Sequence, residues 1–239
     1  MSSAAVIEYV NRSFGVNYTI SGMTELLIRL GFSYKKPQAV HGKADGEAQR
    51  DFLKRLSLKS DNNPMLYVDG VHPQHNSHPD YGWLPKGEKV PLKTNAGRKR
   101  VTINGALDAE SKNIFVQEDD VLNAQNTIKF FQGIELKYPE AETIYVILDN
   151  AGYYRGAKLQ EYIASSKIEL IHLPPYSPNL NLIERVWKFF KKKVLANRYY
   201  DSYLEFKSAC LNFFQRNRWD SYRNELDSLL TENFQIIDV

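Results

Sequence analysis

Two runs, TIYVILDN (143–150) and KIELIHL (167–173), followed by PPYSPN (174–179), decide the fold. The first two are apolar at consecutive positions instead of alternating. Strands covered on both faces of a sheet have that pattern. A helix-like piece, residues 155–165, separates them. PPYSPN then bars a helix, because each proline lacks an N–H and clashes with the preceding turn. The helical period returns over residues 182–195 and again over residues 202–216.

Working outward, MLYVDG (65–70) is a short buried strand that ends in an aspartate. Residues 72–100 form a long basic segment rich in proline and glycine. RVTINGALD (100–108) and NIFVQE (113–118) are two further strands around the turn DAESK, and residues 123–138 are helical. The order is three strands, helix, strand, helix, strand, helices. An antiparallel meander followed by two αβ units gives an α/β fold: a mixed five-stranded sheet with helices on both faces.

The first 60 residues are different in kind. Ala4, Ile7, Val10 and Phe14 recur at helical spacing, and GVNYTIS (15–21) breaks the pattern. A second helix is expected over residues 22–30, with Ser21 as N-cap and Gly31 as C-terminal stop. The basic piece FSYKKP (32–37) follows, offering Tyr34, Lys35 and Lys36 as a wing. A third helix, residues 45–56, leads into the polar linker KSDNNP (59–64). Helix, turn, helix, basic strand is the order of a winged helix-turn-helix and equally of a plain helical hairpin. The expected division is a small helical region, partial as a helix-turn-helix, over 1–60 and an α/β domain over 61–239.

Among 239 residues, 43% are hydrophobic and 25% charged, with a net charge of +3, ordinary values for a chain that buries a core. The lone Cys210, in an apolar helical stretch, excludes an internal disulfide framework and a cysteine-based zinc finger, and reads as a small buried hydrophobe. No run reaches the length of a membrane span, and the N-terminus lacks the plan of a signal peptide. A cytoplasmic, nucleoid-associated protein with no membrane partner is the expectation.

Two strands end in an aspartate followed by a turn-forming residue, Val68-Asp69-Gly70 and Leu148-Asp149-Asn150. A carboxylate directly after a buried strand sits at the sheet's edge, where α/β sheets bind ligands; Asp-Gly and Asp-Asn are also plain turn formers. Glu184 opens the helix after PPYSPN. It fits a capping box with Asn181 and an i,i+4 pair with Lys188. Three such carboxylates suit Mg²⁺, which prefers hard oxygen ligands. Two ions held together can serve an in-line phosphoryl displacement.

The elements YVDG (67–70), GWLPKG (82–87), GRKRVTINGAL (97–107), LDNA (148–151) and HLPPYSPNLNLIERVWKFFKK (172–192), in that order, resemble bacterial insertion-sequence transposases of the mariner-like superfamily. These are DDE enzymes with a ribonuclease-H-like catalytic domain. Asp149 and Glu184 are separated by 34 residues, the spacing of that group. The resemblance implies that Asp69, Asp149 and Glu184 are catalytic metal ligands for two Mg²⁺ or Mn²⁺ ions. It implies that DNA is cut at terminal inverted repeats and joined to a target at TA, by a homodimer on DNA whose protomers are linked by the loop around 72–98. Where relatives have proline after the NLN stretch, this chain has Leu182. Relatives carry two helix-turn-helix units, and this chain has room for one, so poor sequence discrimination is expected. The alternatives are a ribonuclease-H-fold nuclease that cuts without joining, and an inactive or truncated DNA-binding remnant.

Candidate DNA contacts are Thr24 and Arg29 on the second helix, Lys35 in the wing, Lys86, Lys93, Arg98, Lys99 and Arg100 in the long segment, and Lys188 and Lys191 beyond Glu184. Arg185, Lys192 and Lys193 join the last cluster. Each group could equally be a solvated basic face. His72, His75 and His78 share a regular spacing, but Pro73 and Pro79 deny them a helical face on which to gather a metal. Trp83 and Trp187 are expected as core anchors.

Overall fold

Alternation of side chains along the strands places the core on both faces of one sheet. The computed structural model describes residues 2–35, 40–59 and 63–238. Its contacts divide the chain after Val40 into two compact units. Lys36 of the expected wing and residues 60–62 of the linker lie outside the described residues.

The first unit holds α1 (Ser3–Phe14) and α2 (Ile20–Arg29). Met23 of α2 is buried, and Ser3 Oγ of α1 lies within 3.2 Å of Thr24 Oγ1. The start of α2 corrects the expected one. Thr19, not Ser21, is the N-cap, its hydroxyl accepting from Gly22 N at 3.1 Å, so the helix begins two residues earlier. The expected stop holds. Gly31 takes φ +86°, and the N–H groups of Gly31 and Phe32 return to Ile28 O and Leu27 O, the double bond of a Schellman ending.

The second unit runs from α3 (Gly46–Leu56) through β1 (Met65–Val71), β2 (Thr102–Asp108), β3 (Ile114–Asp119), α4 (Ala124–Lys137), β4 (Ile144–Leu148), α5 (Ala157–Ile163) and β5 (Ile168–His172) to α6 (Ile183–Phe190). The expected helix over 182–195 is α6 plus a π turn over Lys191–Leu195. α7 (Tyr203–Asn212), α8 (Arg216–Asp220) and α9 (Arg223–Leu229) close the chain, where the sequence indicated one helix. The five strands form a mixed sheet of order β3-β2-β1-β4-β5. β1–β2 and β2–β3 are antiparallel, β1–β4 and β4–β5 parallel. This is the ribonuclease-H-like arrangement that the sequence indicated.

Leu66, Val68, Ala106 and Val146 face α4 and α5 in one core. Tyr67, Val71, Ile103, Leu107 and Ile147 face the other, where they meet Phe52 and Leu56 of α3, Ile183, Val186, Trp187 and Phe190 of α6, and Phe206, Cys210 and Phe213. α3, grouped by sequence with the helical region, therefore contributes to the core of the second unit. Cys210 is fully buried there, and burial pushes its thiol up to about 12.

Beyond α9 the chain runs as a strap over the start of α6. Arg185 donates to the carbonyls of Leu229, Thr231 and Asn233 at 3.1, 2.7 and 2.9 Å. Asn179 Nδ2 donates to Gln235 O and to Gln49 Oε1, which also accepts from Ile237 N. Arg50 pairs with Asp238. These bonds correct the placing of Arg185 in a free basic cluster: its guanidinium is taken by the chain's own backbone. Arg185→Ala is expected to lower unfolding free energy by about 2 kcal/mol, the scale of lost bonds to a charged donor. Lys192→Ala, at an exposed position, is expected to stay within about 0.5 kcal/mol. Urea unfolding of both variants checks this, and equal effects would contradict the strap.

Candidate active site

Side chains two apart on a strand share a face. Asp69 therefore faces the same way as Tyr67 and Val71, into the layer covered by α6. The strand does not end at Asp69, as the sequence indicated, but continues to Val71, with Asp69 paired to Gly105. β4 does end at Leu148. Ile147 belongs to the α6-side core, so the next residue on that face is Asp149, one step past the strand. Its Oδ1 accepts from Ala151 N at 3.0 Å. Asn150 fastens the turn, donating to Leu173 O at 2.7 Å and accepting from Arg155 at 2.6 Å.

Glu184 lies in the first turn of α6. The expected capping box is absent: α6 has no side-chain N-cap, and Asn181 Nδ2 donates to Val68 O of β1 at 3.3 Å. Glu184 with Lys188 is also not among the ion pairs of the described residues. The Glu184 carboxylate is thus left to the cleft.

Asp69, Asp149 and Glu184 line one cleft of about 530 Å³ with Asn150, Asn181 and the Pro174–Pro178 loop. Asp69 and Glu184 are half-buried and Asp149 is exposed. Burial pushes the Asp69 carboxyl up to about 7, and the Glu184 charge adds to this. The Gly70 N–H draws the value down, Asp149 raises it again, and the Trp187 indole, donating to Oδ2 at 3.0 Å, lowers it a little. Among the described residues no three His, Cys, Asp or Glu side chains are gathered tightly enough to ligate one ion as they stand. Like charges repel, and the three carboxylates share a cleft without closing on each other. The donor chemistry nonetheless fits a hard divalent cation. All three acids offer oxygen, and Asn181, 4% exposed, has an Oδ1 with no hydrogen-bond partner.

The other expected residues are more dispersed. Thr24 is exposed, but its hydroxyl is engaged with Ile20 O and Ser3. Arg29 and Lys35 are exposed in the first unit. Lys86, Lys93, Arg98, Lys99 and Arg100 are exposed along the segment between β1 and β2. The base of that segment is closed by His75 N to Lys99 O and Val101 N to Pro73 O. Since β1 and β2 are antiparallel, Arg98–Arg100 and Asp69 lie toward the same end of the sheet. Lys188 and Lys191 are exposed one and two turns past Glu184. Lys193 instead pairs with Glu225. The histidines go separate ways: His72 to Thr102, buried His75 to Tyr200 O and Asn95, and His78 bridging to Ala196. Trp187 is 2% exposed, whereas Trp83, expected in the core, is fully exposed beside Tyr81. Sequence reasoning missed Asn181, Gly105 and the polar end of Trp187, because their roles arise only across the sheet.

Residues 64–207 match the DDE superfamily endonuclease family, and residues 2–56 a winged helix-turn-helix family. Over 145 residues the chain is 23% identical to the insertion element IS630 uncharacterized 39 kDa protein of Shigella sonnei, across 60% of this chain and 42% of that one. Over 65 residues it is 38% identical to uncharacterized protein y4pE/y4sA of Sinorhizobium fredii (strain NBRC 101917 / NGR234), across 27% and 46%. The matches thus span less than half the length of these curated relatives. In fold, the chain is similar to the mariner Mos1 paired end complex with Mg, with a TM-score of 0.67 at 15% identity, covering all of this chain and 76% of that one.

The raised Asp69 value sets a pH dependence for the metal-free chain. A folded value near 7, above the ordinary 3.8, means that the folded state holds a proton the unfolded state has released between those limits. Stability from this group is complete below about pH 4 and is lost as pH rises through 7. Asp69→Asn removes this dependence. In a chelator, the difference in melting temperature between variant and parent is expected to shift in the variant's favour from pH 4 to pH 7. A constant difference would contradict the raised value of Asp69.

Proposed function

Since the chain belongs to the DDE superfamily endonuclease family, we propose that it is a DNA transposase that cuts transposon ends and joins them to target DNA. The observation that carries this reading is the placing of Asp69, Asp149 and Glu184, from two strands and a helix, on a single cleft. In this reading the three carboxylates would hold two Mg²⁺ or Mn²⁺ ions, and Asn181 Oδ1, which has no hydrogen-bond partner, would offer a further oxygen. Such ions, when bound, neutralise charge developing on the phosphate and favour ionisation of the attacking oxygen. A Mos1 complex of similar fold was solved with Mg.

The chain's own groups supply position. Asp69 is fixed by its place in β1 and by the Trp187 N–H; Asp149 by the Asn150 turn; Glu184 by α6, which the strap holds. In the first step, water attacks phosphorus at a transposon end, and the P–O3′ bond breaks to leave a 3′-hydroxyl and a 5′-phosphate. In the second, that hydroxyl attacks a target phosphodiester, which releases its own 3′-oxygen; by resemblance the target is TA. Neither step needs a protein nucleophile. Lys188, Lys191 and Arg98–Arg100 flank the cleft as phosphate contacts, with Lys86 and Lys93 farther along the same segment. Thr24, Arg29 and Lys35 are the contacts of the helix-turn-helix region. The segment bearing exposed Tyr81 and Trp83 is the one that, by resemblance, joins two protomers.

The test is a gel assay with Mg²⁺, inverted-repeat duplex and a pre-cut end. Wild-type chain is expected to nick the duplex and to join the pre-cut end to target, and Asp149→Asn to lose both by a factor of about a hundred or more. That variant keeps the shape and removes the charge a cation needs. Cutting without joining would leave a nuclease; neither activity would leave a DNA-binding protein. Affinity for arbitrary duplex is expected to fall with salt at a log–log slope of roughly −0.9 per phosphate contact, and Lys188→Ala to reduce the slope by about one. An unchanged slope would make Lys188 an ordinary surface charge.

A further inference from the structure

Gly105 stands directly across the β1–β2 ladder from Asp69. A Cβ at Gly105 would fall 2.5 and 2.8 Å from Cη2 and Cζ2 of Trp187, and 3.0 Å from Ile183 Cδ1. The space that a side chain would fill is occupied by the indole. Through that gap, Trp187 Nε1 reaches Asp69 Oδ2 at 3.0 Å. The ring is buried and held edge-on by Phe214, 5.9 Å away at 83°. A buried indole N–H must find an acceptor. The other buried tryptophan satisfies this with a backbone carbonyl: Trp219 Nε1 donates to Lys112 O at 3.0 Å. Trp187 donates to a carboxylate of the cleft.

We propose that Trp187, admitted by Gly105, is a positioning residue for Asp69. It fixes one carboxylate oxygen so that the other stays presented to cations shared with Asp149 and Glu184. This rests on the reading of the cleft as a metal site. Trp187 lies three residues after Glu184, on the neighbouring turn of the same helix. α6 therefore carries one candidate ligand and the group that orients another on β1, so their relative placing is set by one rigid element. Partners behind metal ligands, when removed, typically weaken metal binding by 10- to 100-fold. An aromatic residue in the α6 core needs no N–H for packing, so the donor can be tested apart from the ring.

The experiment is Mn²⁺ binding, read from the electron-paramagnetic-resonance signal of free ion, for wild type, Trp187→Phe and Asp149→Asn. Mg²⁺ titration of ¹⁵N-labelled wild-type chain, followed at the indole N–H resonances, accompanies it. Trp187→Phe is expected to bind Mn²⁺ about tenfold more weakly. The Trp187 resonance, identified by its contacts to Phe214, is expected to move with Mg²⁺ while those of Trp83 and Trp219 stay. A role in packing alone would lower the melting temperature of Trp187→Phe yet leave its Mn²⁺ affinity and the indole resonance unmoved, and would overturn the proposal. Should Trp187→Phe fail to fold, the wild-type titration decides by itself. If wild type and Asp149→Asn bind Mn²⁺ alike, the metal site fails, and this inference falls with it.

Discussion

The two-residue period of a β-strand is the constraint on which the cleft depends. It sends Asp69 to the same side as Tyr67 and Val71, and Asp149 to the same side as Ile147. That side is otherwise the larger apolar core. Two acids are thereby fixed at the border of a layer that excludes water, and α6, which seals the layer with Ile183, Val186, Trp187 and Phe190, adds Glu184. Of the two, Asp69 is the half-buried one, and burial disfavours its ionised form. Here the backbone over-determines their position, and the tension is visible in the raised Asp69 value. A divalent cation is the partner that would relieve it.

Much of the surrounding structure serves to keep α6 where it is. Gln49 of α3, Asn179 of the proline loop and the backbone of the strap form one hydrogen-bonded knot. Gly46 shows how closely the strap lies, since a Cβ there would come within 1.7 Å of Asp238. Asn181 stitches the turn before α6 to β1. A side chain on a helix is only as well placed as the packing of that helix, and these contacts fix the end of α6 that bears Glu184. The basic segment between β1 and β2, by contrast, is secured at its base and exposed along most of its length.

Elements governed by local pattern were legible in the sequence. The apolar runs of β4 and β5 announced covered strands, and PPYSPN announced the break before α6. Asp149, one step past a strand, could be placed from the run alone. Asp69 could not be placed as well, because β1 continues through Asp-Gly to Val71 and its pairing with Gly105 is a long-range fact. Asn181 looked like a cap, since Asn-x-x-Glu before an apolar run has that form. The structure turns its amide to Val68, a partner 113 residues away. Thr19 outcompeted Ser21 as N-cap because the helical turn could start earlier, through Ile20. Trp83 and Trp187 carry the same hydrophobic signal, and only tertiary context separates a fully exposed ring from a buried one. Arg185 looked like its lysine neighbours, and only the path of the last residues shows that its charge is already satisfied.

The claim that Asp69, Asp149 and Glu184 form one metal site is tested most directly by anomalous diffraction from crystals of the chain grown with Mn²⁺ and a pre-cut DNA end. The account expects manganese peaks inside the cleft, within ligand distance of all three carboxylates. Peaks confined to other acids, or a cleft without manganese when DNA is bound beside it, would contradict it.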